Sequence, residues 1–331
     1  MTTYKDLQRL TGLSLATISK HYNGGTVLPA NRRAIEEAAA RLGFRPNGIA
    51  RNLRFGRSRT VGVLLPALTD DFHLTIIAGV ELALRDAGLS VLVATSPTPG
   101  AGAVDLLLGR MVEGIITVPP AHDAPALARA GAEIPVIQLD WEAPGLDTDR
   151  VYLDNLGAGT MAARLLLDHG HRRIGAVGGP TEISTARDRL AGFRAELDRA
   201  GITPEGELLR TGPATVAGGQ AAMQRILAAR DRPTAVFCAS HHLTLGALIA
   251  LNDSGLRLGR DVSMIGFDNR ELAMATLPRL SIIEQPTHEI AARAAELLLA
   301  RLADPGGDSA PVTVTVDPVL VAGTSVARLD D

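Results

Sequence analysis

The sequence predicts an all-α head with a helix-turn-helix, residues 1–46, then a hinge, residues 47–59. An α/β body, residues 60–331, follows as two lobes, each a parallel sheet flanked by helices. Three observations lead there: basic side chains crowd the first 59 positions, helical apolar spacing recurs within them, and short apolar runs alternate with longer helical patterns in the rest. With 331 residues, 46% hydrophobic and 21% charged, the chain has material for several cores and is too apolar for disorder. A lone cysteine, Cys238, excludes a disulfide framework and a cysteine-cluster metal site, and fits a reducing cytosol. No apolar run approaches the roughly 18 residues that span a bilayer, and Met1-Thr-Thr-Tyr-Lys-Asp-Leu carries no secretion signal. A soluble cytoplasmic protein, working on the nucleoid and with no membrane partner, is expected.

Residues 1–59 hold eleven Lys and Arg against three Asp and Glu, a surplus of eight, so the other 272 residues carry −11 of the overall −3. A basic head on an acidic body suggests that the head alone meets a polyanion. A solvated basic surface would show the same surplus, so the motif within the head has to decide.

Tyr4–Leu10 reads as a first helix and Gly12 as its tight turn. Ser14 can cap a second helix through Tyr22, in which Ile18 and Tyr22 face inward and Leu15, Ala16, Thr17 and Lys20 outward. A third helix fits Pro29–Leu42, with Pro in the first turn, Gly43 past the end, and Ile35, Ala38, Ala39 and Leu42 closing the core. Three short helices also suit a small structural bundle; the small, polar outer face of the second helix points to one that reads a groove.

Pro46 blocks continuation of the third helix, and Asn47 can cap about two turns ending before Gly56. So short a helix is marginal alone, because isolated helices need about 12–15 residues. Ile49 and Leu53 share one face, so the segment could fold against its own copy on DNA; a plain linker is the bland reading.

Apolar runs recur in the body at Val61–Leu65, Val91–Val93, Gly114–Val118, Pro135–Leu139, Ile174–Val177, Ala235–Cys238 and Val262–Ile265. Helical patterns separate them, and several end at a glycine before the next run: Gly88, Gly170, Gly201 and Gly255. Such strands belong in parallel sheets covered on both faces. About a dozen alternating elements exceed one ordinary sheet, hence two lobes with a cleft between them. The lobes are expected at about 60–153 with 286–311, and 154–285 with 312–329.

No G-x-G-x-x-G or P-loop follows a strand. The pairs His169/His171 and His241/His242 lack cysteines or acids at metal-site spacing, and Cys238 in an apolar strand reads as an inert thiol. No cofactor, metal or catalysis is expected.

The head resembles the N-terminal region of the lactose-repressor/galactose-repressor (LacI/GalR) family of bacterial transcription regulators. The matching stretches are Tyr4-Lys-Asp-Leu, Thr11–Lys20, Asn23, Ala40-Arg-Leu-Gly-Phe-Arg-Pro-Asn47 and Ala50–Arg54. The resemblance implies that Leu15, Ala16 and Lys20 face bases in the major groove while Thr17, Ser19 and Asn23 hold phosphates. Leu53 of each subunit would wedge into the minor groove and kink the duplex. Leu15 and Ala16 offer only apolar contacts, leaving Lys20 as the main polar reader.

More loosely, the body is similar to that family's two-lobed, periplasmic-binding-protein-like effector domain. This likeness rests on Asp140, Val151–Asn155, Gly170–Gly175, Arg187-x-Arg189-x-x-Gly-Phe193, Gly266-Phe-Asp268 and Glu284-Gln-Pro286. It implies an effector between the lobes, held by Arg189 and Asp268 with help from Asp140, Gln285, Phe72 and His241. Independently, Asp268 follows an apolar strand and so falls where α/β sheets place ligands; either charge could instead pair with the other. The chain departs from the family at Ser240-His241-His242, where Asn-Asp is usual, and at Trp141, where Arg is frequent. With aromatics at 3%, a sugar pocket has few rings to use.

The expected partners are therefore palindromic double-stranded operator DNA, a small polar effector such as a sugar derivative, and a second copy of the chain. No heptad repeat follows the body, which suggests a homodimer rather than a tetramer. Effector binding would shift the lobes and form or melt the hinge helices, making the protein an allosteric repressor. Two alternatives stand beside this: an activator or a regulator with a decayed pocket, and, from another class, a cytosolic solute-binding protein.

Overall fold

Helix formation in the head follows its caps and its apolar spacing. The computed structural model describes residues 2–22, 25–44, 58–204, 206–304 and 310–329, so the expected hinge helix, Asn23 and Leu53 lie outside the described residues. Thr3 and Asp6 form a capping box that starts α1 (Tyr4–Thr11), and Gly12 ends it in the left-handed conformation. Ser14 Oγ accepts from Thr17 N at 3.1 Å at the start of α2 (Leu15–Tyr22). Proline opens α3 (Pro29–Leu42), and Gly43, again left-handed, closes it.

Leu7, Ile18, Ile35 and Ala38 are buried at the centre, one or two from each helix. Tyr4, Tyr22 and Phe44 cluster beside them, with ring centroids 5.3–5.7 Å apart. The inward Ile18 is what leaves the opposite face of α2 to solvent. Residues Met1–Ser58 form one compact unit and Arg59–Asp331 a second.

In the body, β1 (Thr60–Leu65) shows how the strands are read by their neighbours. Val61, Val63 and Leu65 enter one apolar cluster and Leu64 another, so the period of two serves two buried faces rather than one. The strand is followed by α4 (Asp71–Arg85), β2 (Ser90–Thr95), α5 (Ala103–Gly109), β3 (Ile115–Thr117) and α6 (Ala124–Gly131). Then come β4 (Val136–Leu139) and β5 (Asp149–Leu153), which complete the main part of the first lobe.

The chain crosses directly from β5 into α7 (Asn155–Asp168), β6 (Ile174–Gly178), α8 (Ser184–Arg199), β7 (Leu209–Thr211) and α9 (Val216–Leu227). Next are β8 (Ala235–Cys238), α10 (His241–Asp253), β9 (Ser263–Phe267), α11 (Arg270–Ala275) and β10 (Ser281–Glu284). It returns through α12 (Thr287–Ala303) and β11 (Thr313–Val316), then crosses a third time into β12 (Val319–Val321). The first sheet has the order β11-β5-β4-β3-β1-β2 and the second β12-β10-β9-β8-β6-β7; all pairings are parallel except β10 with β12.

One boundary differs from the sequence reading. The last crossing was expected near residue 312, yet β11 pairs with β5 in the first sheet, Val314 opposite Val151, so it falls after Val316. Asp149 explains the placement: its carboxylate accepts from Val312 N and from Arg301, which ties the approach to β11 onto the first lobe. The strands β5, β7, β10, β11 and β12, absent from the run-based reading, are short or carry polar residues that break the apolar pattern.

Replacing Ile18 with Ala is expected to cost about 2–5 kcal/mol, comparable to the whole stability of so small a core, about 3–5 kcal/mol. Calorimetry and amide NMR of the full chain should show the head unfolded while the body's transition stays in place.

Candidate functional site

The first site is the outer face of α2. Leu15 (38% exposed), Ala16 and Lys20 all lie on the surface, where the sequence placed the base-reading residues. Thr17 and Ser19 are half-buried along its edge, and the Thr17 hydroxyl lies 2.9 Å from the Ser14 hydroxyl, so it shares in the cap. Lys5, Arg9, Arg32, Arg33 and Arg41 are exposed on the same unit. Only Arg9 and Arg32 among them have a described carboxylate within ion-pair distance, Asp6 and Glu36, at solvent-exposed positions where such pairs are weak.

The second site is a cavity of about 540 Å³ in the body, lined by both lobes. Its walls are built from the carboxyl ends of strands, the place where parallel sheets present loop backbone and helix N-termini to a ligand. After β1, Asp70 caps α4 by accepting from Phe72 N at 2.9 Å, which sets Phe72 and His73 in the first turn against the cavity. After β4 comes Asp140, and after β9 come Asp268 and Asn269, all three non-glycine residues at positive φ (66°, 56° and 56°). Left-handed backbone is uncommon outside glycine and gathers at functional sites. Asn269 then caps α11.

Arg189, in α8, is 5% exposed. Its Nε donates to Asn155 Oδ1 at 2.8 Å, one terminal nitrogen donates to the Ala239 carbonyl at 3.1 Å, and its Cζ lies 3.8 Å from the centre of the Phe267 ring. The helix that carries it is clamped on α7: a Cβ at Gly159 would collide with the Arg189 carbonyl oxygen, and one at Gly192 with Leu156 O. Burial lowers the guanidinium's pKa and the carboxylates of Asp268 and Asp140 raise it.

Loss of water raises Asp140 to about 6, against the pull of Arg189 and with repulsion from Asp268 and Asp70 adding to the rise. Asp268 also rises to about 6 by burial, although Arg189 and two hydrogen bonds from Gln285, N at 3.0 Å and Nε2 at 2.8 Å, favour its charged form. His241 and His242 open α10, capped by Ser240, with their rings stacked at 4.5 Å. Burial is the first cause that lowers His241, and the neighbouring His242 is the second. Trp141, at a position where the family frequently carries arginine, donates from Nε1 to Pro119 O at 2.8 Å, which fixes the indole.

All six expected pocket residues, Phe72, Asp140, Arg189, His241, Asp268 and Gln285, line this one cavity. Asp70, His73 and Asn269 were missed. The signal for Asp70 was present: an acid just after an apolar strand and before a helical pattern is both a cap and a ligand position. By contrast, Cys238 is buried, its thiol pushed up to about 12 by loss of water, and His171 spans Thr234 and the Ala327 carbonyl as a structural link.

A helix-turn-helix head joined to a two-lobed body with a polar cleft defines a DNA-binding regulator that carries its own sensor domain. Residues 163–326 match the periplasmic binding protein-like domain. The chain is 34% identical over 305 residues, 91% of its length and 89% of the relative's, to the HTH-type transcriptional repressor CytR of Escherichia coli (strain K12). A crystal structure of the Lac repressor dimer bound to operator and the anti-inducer ONPF superposes with a TM-score of 0.87 at 27% identity, covering 98% of this chain and 99% of that one. A LacI-family regulator from Enterococcus faecium with bound ribose gives 0.71 at 27%, covering 82% and 100%. The chain belongs to the LacI/GalR family of transcription regulators.

Because Asp140 and Asp268 both titrate higher in the fold than the ordinary carboxylate near 3.8, the folded body binds more protons than the unfolded chain between about pH 4 and pH 6. Their contribution therefore turns unfavourable as pH rises through that window, and is fully so at pH 7. Melting curves of Asp140→Asn should fall less steeply between pH 4.5 and 7 than those of the wild type.

Proposed function

We propose that the protein is a transcriptional repressor that binds a palindromic operator as a homodimer in the cytoplasm. Its grip would be set by a small, uncharged, polyhydroxylated effector, a sugar or sugar derivative, held between the lobes. Leu15, Ala16 and Lys20 would meet base edges; Thr17, Ser19 and Asn23 would hold phosphates; Leu53 would wedge at the operator's centre. No catalytic step is part of this reading.

The charge balance of the cavity carries the choice of effector. Asp70, Asp71, Asp140, Asp268 and Glu271 all line it. Of the two arginines there, Arg189 donates to Asn155 and to the Ala239 carbonyl and is in the field of Asp140 and Asp268, and Arg270 pairs with Glu284. A phosphorylated or carboxylated ligand would meet a surplus of acceptors and like charge. Hydroxyl groups, by contrast, can donate to those carboxylates while Phe72 and Trp141 offer apolar surface to a ring face. The cavity volume of about 540 Å³ lies within the range of ordinary small-molecule sites, about 300–1,000 Å³.

The dimer reading is supported by a second feature of the body. An apolar groove runs between α10 and α11, lined by Leu245, Leu248, Ile249, Leu272 and Leu277, with Leu277 96% exposed. On this reading a second copy covers that leucine together with the groove beside it.

Experiments on both sites test the reading. Fluorescence anisotropy on a selected palindromic duplex should show two chains per duplex and a steep loss of affinity with salt. Lys20→Ala is expected to weaken the specific complex by about 1–3 kcal/mol, roughly five- to 150-fold, with little change on random duplex; equal losses on both would remove its base-reading role.

Asp268→Asn should leave operator affinity unchanged and weaken effector binding about ten- to 150-fold, the value of a hydrogen bond to a charged group. Thermal shifts against neutral sugars, nucleosides and sugar phosphates supply the effector. A midpoint raised by sugar phosphates and not by neutral ligands would overturn the charge argument.

A further inference from the structure

His241 and His242 belong to the second lobe and Asp70 to the first, yet one ligand atom from each falls within 4.8 Å of the others. His242 Nδ1 lies 3.9 Å from Asp70 Oδ2. We propose that Asp70, His241 and His242 form a binding site for a borderline divalent transition-metal ion, zinc being the representative, that bridges the two lobes at the cavity. This proposal is independent of the effector's identity.

The donor set argues for the class of ion. Two imidazole nitrogens and one carboxylate oxygen suit zinc, cobalt or nickel, whereas magnesium and calcium take oxygen ligands almost throughout. Donors around a four-coordinate zinc sit at about 2.0–2.2 Å from the ion and so a little over 3 Å from one another. The His242–Asp70 separation of 3.9 Å and the 4.8 Å bound on the whole cluster both exceed that, so side-chain rotations must draw the donors inward for an ion to be held.

All three side chains are half-buried, which gives partial desolvation without isolating them from an entering ion. The histidine rings are stacked at 4.5 Å and 27°, so the two adjacent side chains lie side by side rather than splaying around α10. The positive end of α10 opposes a cation, and the charges of Asp70 and the neighbouring Asp71 offset it.

Three protein ligands leave a fourth position open, and all three residues line the cavity, so that position faces the space an effector would fill. Because no single lobe supplies the full set, the ion binds only while the walls are close. It would therefore favour the closed body by mass action, in proportion to its occupancy. The sequence alone discounted the histidine pair because its acid arrives from 171 positions earlier in the chain.

The test uses the full chain, stripped with chelator, and zinc chloride alone. Calorimetric titration should show one zinc per chain and a raised unfolding midpoint of the body. Cobalt substitution should give the visible absorption of a four-coordinate nitrogen and oxygen site.

Asp70→Asn keeps a capping side chain on α4, and His242→Gln keeps the helix start. Each is expected to lower zinc affinity at least tenfold and to leave the metal-free midpoint near the wild-type value. His169→Gln, remote from the cluster, should change nothing. Zinc affinity that survives in both cluster variants, or magnesium binding as tightly as zinc, overturns the site. Affinity lost with His242→Gln but kept with Asp70→Asn overturns the bridge between lobes.

Discussion

A guanidinium that is only 5% exposed, in the field of two carboxylates that water has largely left, is the constraint around which the body is arranged. Burying an unpaired Arg189 would be prohibitive. The fold therefore supplies Asn155 Oδ1, the Ala239 carbonyl and the Phe267 ring from within the second lobe, and places Asp268 there and Asp140 on the first. The ion cluster is not closed: Asp140 and Asp268 stay near 6, well above the ordinary carboxylate, so burial outweighs the arginine's attraction at both. Such carboxylates gain from any partner that donates hydrogen bonds to them, and the cavity provides the room for one.

Backbone geometry serves the same end. The left-handed conformations at Asp140, Asp268 and Asn269 sit where two strands stop, and all three residues line the cleft. Gln285 then fixes Asp268 from the neighbouring strand end with two hydrogen bonds. The close packing of α7 on α8 through Gly159 and Gly192 holds Arg189 from behind. A substitution at either glycine would act on the site without touching it.

Much of this was legible in the sequence for definite reasons. The head's helices end at residues that cap or break them, so Pro29, Leu42 and Gly43 mark α3, and the inward Ile18 identifies the exposed face of α2. In the body, β1 and β8 are continuous apolar runs buried on both faces and stand out in the sequence. The edge strands β7, β11 and β12 do not, because an edge position tolerates polar residues and short length. The pocket residues Arg189 and Asp268 were reached through family likeness and a strand end. That Asp70 lies beside His241 and His242 is not legible in the same way, since only the closing of two sheets by three separate crossings brings positions 70 and 241 together.

Those crossings also set how readily the lobes can shift. Across the cleft, the described residues make only light polar contact: Asn269 Nδ2 donates to Asp71 at 3.3 Å, Glu142 N donates to Ser184 Oγ at 3.0 Å, and His242 approaches Asp70. Hydrogen bonds of this kind are worth about 0.5–1.5 kcal/mol each, whereas each lobe is held by its own buried clusters of Val, Leu, Ile and Phe. On the proposed reading, closure is a small free-energy difference between two separately packed lobes. A molecule that satisfies Asp140 on one wall and Asp268 on the other adds contacts only in the closed arrangement, and a differential of a few kcal/mol suffices to move such an equilibrium. On the proposed reading, the same surplus of buried negative charge that costs the body stability at neutral pH favours a donor-rich, uncharged occupant of the cleft.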